Sequence, residues 1–160
     1  MEFRLLSPDE ADEISSYVHD MWVDTYAPIV YGGRERAENI FDDWVGPNKI
    51  RADMERGFFF AYLIDGDETI GLISAGKEGD DFVISKVYIS PEHRKKGYGR
   101  ACMDYILRRG RELSCRRAVL EVNPANLTAV EFYRNLGFEP VGRKEYDHSH
   151  TDILGLELRD

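Results

Sequence analysis

Val87-Tyr-Ile-Ser-Pro-Glu-His-Arg-Lys-Lys-Gly-Tyr-Gly-Arg-Ala-Cys102 is the stretch whose reading decides the fold. It opens as a β-branched and aromatic strand, and Pro91 ends that strand because proline has no amide to donate to a ladder. A short basic loop leads to Gly97 and Gly99, after which a helical pattern begins. Met103, Ile106, Leu107, Gly110 and Leu113 fall on one side of that helix and predict a core face. A strand, a glycine-containing turn and a helix N-terminus together make an anion site. The first amides of a helix lack intrahelical partners, and the helix dipole places partial positive charge there. Arg94, Lys95, Lys96 and Arg100 concentrate positive charge at that point of an otherwise acidic chain. The ligand described by these features carries a pyrophosphate.

Two other phosphate loops share this grammar and fail on spacing. The dinucleotide fingerprint G-x-G-x-x-G requires a third glycine, and none follows Gly99 at that distance. The P-loop requires Gly-Lys-Ser/Thr, whereas Gly99 precedes Arg100 and Ala101.

With 160 residues, the chain suits a single domain spanning 1–160 with room for a sizeable core. A net charge of −9 argues against nucleic acid as the main partner. No apolar run reaches the length of a membrane span, and the first residues read as a strand rather than a signal peptide. Cys102 and Cys115 lack metal spacing and read as reduced thiols, so a cytoplasmic location is expected. Nothing in the sequence asks for a metal.

Phe3, Leu5 and Leu6 predict a first strand. Ser7-Pro8-Asp9-Glu10 reads as a helix start, followed by a stripe through Ile14, Val18, Met21, Trp22 and Thr25. Pro28 breaks it, and 26–33 forms an aromatic loop. Helical segments are expected near 34–44 and 47–56. Strands follow at 58–64, 69–75 and 82–90, joined by the turns Asp65-Gly66-Asp67 and 78–81, as an antiparallel meander. After the long helix come a buried strand at 118–122 and a helix capped by Asn126, with Ala129, Phe132, Tyr133 and Leu136 facing inward. Gly137 ends that helix. Two last strands, 138–146 and 153–158, flank the polar turn 147–150. The fold class is α/β, a mixed, mostly antiparallel sheet of six to seven strands flanked by about four helices.

Two motifs in register carry a resemblance. Arg94-x-x-Gly97-x-Gly99 after Val-Tyr-Ile-Ser-Pro resembles the acetyl-CoA motif of the GNAT acyltransferase superfamily. Asn126-x-x-Ala129-x-x-Phe132-Tyr133-x-x-x-Gly137-Phe138 is similar to the motif after that superfamily's fifth strand, and the element order agrees along nearly the whole chain. The resemblance implies an N-acetyltransferase on which Val87, Tyr88 and Ile89 offer backbone groups to the pantetheine arm of acetyl-CoA. It further implies that the pyrophosphate sits on the amides of Arg94, Lys95, Lys96, Gly97, Tyr98, Gly99 and Arg100, and that Asn126 contacts the cofactor arm. Tyr133 matches the tyrosine placed near the thioester sulfur, and a phenol is a reasonable donor to a departing thiolate.

The implied reaction is direct attack by an amine, which must first shed a proton. Glu121, turned away from Leu120 and Val122 by strand alternation, is the candidate to receive it. It also resembles the base of the superfamily's protein N-terminal acetyltransferases; the other reading is that it anchors a hydrogen bond without moving protons. His93 reads as a loop residue. His148 and His150 stand in a turn within reach of the acceptor pocket. Trp22, Tyr26 and Tyr31 are candidates to line that pocket, since aromatic faces attract cations.

Trp22-x-x-Thr25-Tyr26-Ala27 resembles the corresponding region of PaiA-type polyamine acetyltransferases, and Asp20, Asp24, Asp42 and Asp43 nearby suit a polycation. The expected acceptor is a small primary amine such as a polyamine. A peptide or protein N-terminus is the alternative, and a non-catalytic acyl-CoA-binding module is the third reading. Many relatives pair as homodimers, without any feature here that reveals an interface.

Overall fold

The computed structural model describes residues 1–159. Seven strands form one sheet in the order β1-β2-β3-β4-β5-β7-β6. In chain order the elements are β1 (Glu2–Leu5), α1 (Ala11–Tyr26), α2 (Gly33–Val45), α3 (Pro47–Glu55), β2 (Phe59–Asp65), β3 (Glu68–Glu78) and β4 (Asp81–Ile89). They continue with α4 (Tyr98–Glu112), β5 (Arg117–Val122), α5 (Leu127–Asn135), β6 (Glu139–Glu145) and β7 (His150–Glu157). Every neighbouring pair is antiparallel except β4 with β5. Among the described residues, no helix is long and apolar enough to cross a membrane.

The sheet has a core on each face. On one side α4 and α5 cover Leu63, Ile73, Phe82, Leu120 and Phe138. On the other, α1, α2 and α3 cover Phe60, Tyr62 and Leu72. The α4 face is Cys102, Met103, Ile106, Leu107 and Gly110. Leu113, read as its last core position, is 45% exposed because the helix ends at Glu112 and Leu113 is its C-cap. Gly110 lets α4 lie close on the sheet: a Cβ there would stand 3.0 Å from both Leu158 Cδ1 and Phe82 Cδ2. Gly110→Leu is therefore expected to overpack this contact and cost ~1–3 kcal/mol, read as a lower denaturation midpoint.

Two strand boundaries differ from the sequence reading. β3 runs on to Glu78, because Gly76 and Lys77 continue to pair with β4. A Cβ at Gly76 would meet the Phe58 ring at 2.6 Å, so the bare backbone makes that packing possible. β7 begins at His150, not Ile153, and its polar start pairs with Lys144 and Arg143 of the edge strand β6. The start of α1 is also arranged differently. Pro8–Glu10 form a short 3-10 turn, and the Glu10 carboxylate accepts from the Ser7 amide at 3.1 Å.

The feature that positions the site is a partial divorce of β4 from β5. They pair only at Asp81–Val83 with Arg117–Val119. A register shift between Ser74 and Ala75 leaves Ser85 as an extra residue in β4, a bulge that bends the strand. Beyond Val83, β4 continues to Ile89 with one edge of backbone groups unclaimed by β5.

Candidate active site

The basic loop and the N-terminus of α4 form a concave run of amides. Gly97, the N-cap of α4, has φ +87°, and Lys95 has φ +63°, a left-handed conformation costly for a lysine. Among the described residues, none of the amides from Lys95 to Arg100 has a hydrogen-bond acceptor; the first to find one is Ala101, on Gly97 O at 3.2 Å. Successive amides with alternating left-handed residues make an anion nest, and here the dipole of a 15-residue helix reinforces it. The residues present therefore fit a pyrophosphate. A Cβ at Gly99 would approach Phe132 Cζ at 3.3 Å, so Gly99 serves mainly to let α5 close against α4.

Side chains around the loop hold it rather than point into it. His93 bridges Ser90 Oγ at 2.6 Å and Glu68 at 2.9 Å, in keeping with its reading as a loop residue. The Arg94 guanidinium donates to Ile89 O at 3.0 Å, tying the loop back to the end of β4. The Tyr98 hydroxyl donates to Asp65 at 2.8 Å, which leaves its backbone amide as its contribution to the nest.

On β4, Val87 and Ile89 pack on the α4 side while Tyr88 faces α1 and α2. Asn126 caps α5 by accepting from the Ala129 amide at 3.4 Å. Tyr133 packs edge-on against Phe132 and Phe138 at 5.2 and 5.8 Å between ring centres. Burial, with Tyr26 and Cys102 nearby, pushes its phenol well above the ordinary value, so it stays protonated. Among the described residues its hydroxyl has no hydrogen-bond partner, and it lies close enough to Tyr88 to raise that phenol too. Burial likewise pushes the Cys102 thiol up to about 12, which makes it inert as a nucleophile.

A cleft of about 930 Å³ opens between the splayed strands and α1–α3. Trp22, Tyr26 and Tyr31 all line it, together with Tyr88, Glu121, Tyr146 and His148. Trp22 is at once core and cleft wall, 5% exposed and packed on Tyr26 and Phe41. Tyr31 stacks on His148 at 4.3 Å, so the loop after α1 meets the β6–β7 turn across the mouth. Of the four acids at 20, 24, 42 and 43, only Asp43 lines the cleft. Asp20 is engaged by His19 and Asp24 by Arg34.

Glu121 projects from β5 into this cleft. Its Oε1 accepts from Tyr146 at 2.6 Å and from Thr151 at 2.7 Å, and Lys144 Nζ stands 4.0 Å from Oε2. One oxygen is thus committed to fixed donors and the other remains open. Burial and then the Glu121 carboxylate hold the Tyr146 phenol far above its ordinary value, so it remains the donor. Tyr146 and Thr151 are not legible as site residues in the sequence, whose pattern starts the last strand only at Ile153.

Residues 12–138 match the family model described as the Acetyltransferase (GNAT) family. A streptothricin acetyltransferase from Streptomyces lavendulae is 31% identical over 87 residues, covering 54% of this chain and 46% of that protein. The chain thus aligns with less than half the length of that curated relative. Among solved structures, the PaiA N-acetyltransferase of Thermoplasma acidophilum in complex with coenzyme A superposes with a TM-score of 0.81. It is 20% identical and covers 98% of both chains. The ribosomal-protein-S18-alanine N-acetyltransferase of Escherichia coli gives a TM-score of 0.68 at 13% identity, over 98% of this chain and 93% of that one.

Proposed function

The chain belongs to the GNAT acetyltransferase family, and from that premise we propose that it transfers the acetyl group of acetyl-CoA to a primary amine of a small molecule. The observation that carries this reading is the joining of an amide nest, an open β4 edge and a carboxylate-bearing cleft at one place in the sheet. Acetyl-CoA supplies an activated thioester. The amides from Lys95 to Arg100 hold its pyrophosphate, and the edge of β4 that β5 leaves open at Val87, Tyr88 and Ile89 pairs with its pantetheine arm, the Ile89 carbonyl being already engaged by Arg94. That the PaiA relative binds coenzyme A on the same fold supports this assignment.

Glu121 receives the proton that an alkylammonium must lose before attack, through its open oxygen. Tyr146 and Thr151 hold that carboxylate in place. Tyr133, protonated and without an internal partner, donates a hydrogen bond to the sulfur as negative charge develops there. Tyr26 and Tyr31 border the acceptor's path. A polyamine remains within this class of acceptor, although only one of the acids thought to favour it lines the cleft.

The PaiA N-acetyltransferase and the ribosomal-protein-S18-alanine N-acetyltransferase both share this fold, so the acceptor is a matter of the cleft rather than the fold. The Tyr31–His148 contact across the mouth favours a small acceptor over a peptide chain. The test is thiol release from acetyl-CoA with an amine panel, checked by a product heavier by one acetyl group. Turnover on small amines is expected. Tight acetyl-CoA binding with no amine ever acetylated would instead favour a binding module.

A further inference from the structure

The end of the cleft beneath α3 carries charges that the transfer reaction does not use. Lys49, Asp53, Arg56, Glu78 and Lys86 all line it. Asp53 is almost wholly buried, and its Oδ1 already accepts from Lys49 at 2.7 Å and Arg56 at 2.8 Å. Arg56 also holds Glu78 at 2.7 Å. Lys86 is left over. It is 7% exposed, its Nζ donates only to the Ser85 hydroxyl, at 3.1 Å, and the ammonium stands over the Phe60 ring, 5.6 Å from its centre. Among the described residues no carboxylate lies within 4.0 Å of it, the salt-bridge limit met by its neighbours.

Three cations therefore face two carboxylates, and the unpaired cation is the most buried of the three. A buried ammonium is stable only when paired and hydrogen-bonded. Burial draws the Lys86 ammonium down to about 8, against the opposing pull of the Asp53 carboxylate. The bulge at Ser85 is what turns Lys86 to the cleft side, where it follows Val83 and shares a face with Tyr88. Its register partner Ser74, wholly buried behind the cleft wall, has a hydroxyl with no hydrogen-bond partner among the described residues.

The same cleft thus offers a carboxylate, Glu121, where an amine must give up its proton, and an unpaired ammonium, Lys86, elsewhere along its wall. We propose that the acceptor is a small amine that also carries a carboxylate, an amino acid, whose carboxylate docks on Lys86 in the cleft. This rests on the acetyltransferase reading and narrows its acceptor class. A polyamine would instead bring further positive charge to this end.

The experiment compares free amino acids with their amides and their decarboxylated amines, each with acetyl-CoA, on the parent protein and on Lys86→Met and Lys86→Arg. Amino acids are expected to lead by ~30-fold or more in kcat/KM. Lys86→Met should erase that lead through KM, with kcat little changed, by ~30-fold or more for loss of a buried charge partner. The decarboxylated amines should be indifferent to the change, and Lys86→Arg should restore part of the preference. Because Asp53 keeps Lys49 and Arg56, Lys86→Met should fold with an undiminished melting temperature. Amides, amines or polyamines turned over as well as amino acids, with Lys86→Met unchanged, would overturn the carboxylate site while leaving acetyl transfer standing. No acetyl-CoA binding at all would overturn the reading beneath both.

Discussion

Tyr133→Phe is expected to lower kcat by ~10²-fold or more, the range for losing a positioned proton donor, while leaving acetyl-CoA affinity nearly unchanged. The ring fills the same space against Phe132 and Phe138, and the hydroxyl has no internal hydrogen bond to lose, so stability should hold. The effect isolates the transition state. A phenol pushed well above its ordinary value by burial is a reluctant acid, but it is a protonated donor at every physiological pH. Its contribution is a hydrogen bond that strengthens as the sulfur becomes anionic, absent in the ground-state thioester. Steady-state kinetics with a saturating acceptor, beside calorimetric titration with acetyl-CoA, checks both halves. Equal turnover in the variant would remove Tyr133 from the reaction.

Glu121→Gln is expected to cost a similar ~10²-fold in kcat/KM for the amine at neutral pH. Glutamine keeps an oxygen that can accept from Tyr146 and Thr151, so the local hydrogen bonds survive and only the capacity to take a proton is lost. The two roles open for Glu121 then separate cleanly. An anchor would tolerate the change, whereas a base would not. Without the base, the enzyme must wait for amine that is already deprotonated, and that fraction rises tenfold per pH unit below the pKa of an alkylamine, about 10. The deficit of Glu121→Gln should therefore shrink as pH rises. A constant deficit, or none, would assign Glu121 to positioning alone.

Much of the fold was legible because the deciding signals are local. Pro91, Gly97 and the stripe from Met103 to Gly110 each act within a few residues of themselves, and the structure places strand, nest and helix where they predict. Asn126 and Gly137 likewise cap α5 by short-range geometry. Leu113 was misjudged because periodicity does not say where a helix stops.

The candidate site was legible on the side of the anion loop and much less so in the cleft, whose contacts join residues far apart in sequence. Tyr146 and Thr151 reach Glu121 across 25 and 30 residues, from an exposed polar hairpin without alternation to mark its register. Lys86 reaches the cleft wall beneath α3 only because a bulge turns β4 to that side. A lysine inside the apolar strand Phe82–Ile89 was the visible clue, since charged residues seldom sit within a central strand without a partner. Charge counting along α1 and α2 pointed to a polycation, yet Asp20 and Asp24 spend their charge on His19 and Arg34.

The central claim is that acetyl-CoA lies on the Lys95–Arg100 amides and along the open edge of β4. An amide NMR titration with coenzyme A tests it most directly. The account predicts the largest shifts at Lys95 to Arg100, where amide hydrogens gain phosphate acceptors, with a second group at Val87 to Ile89. Saturable shifts that spare both segments, or none at any coenzyme concentration, would contradict it.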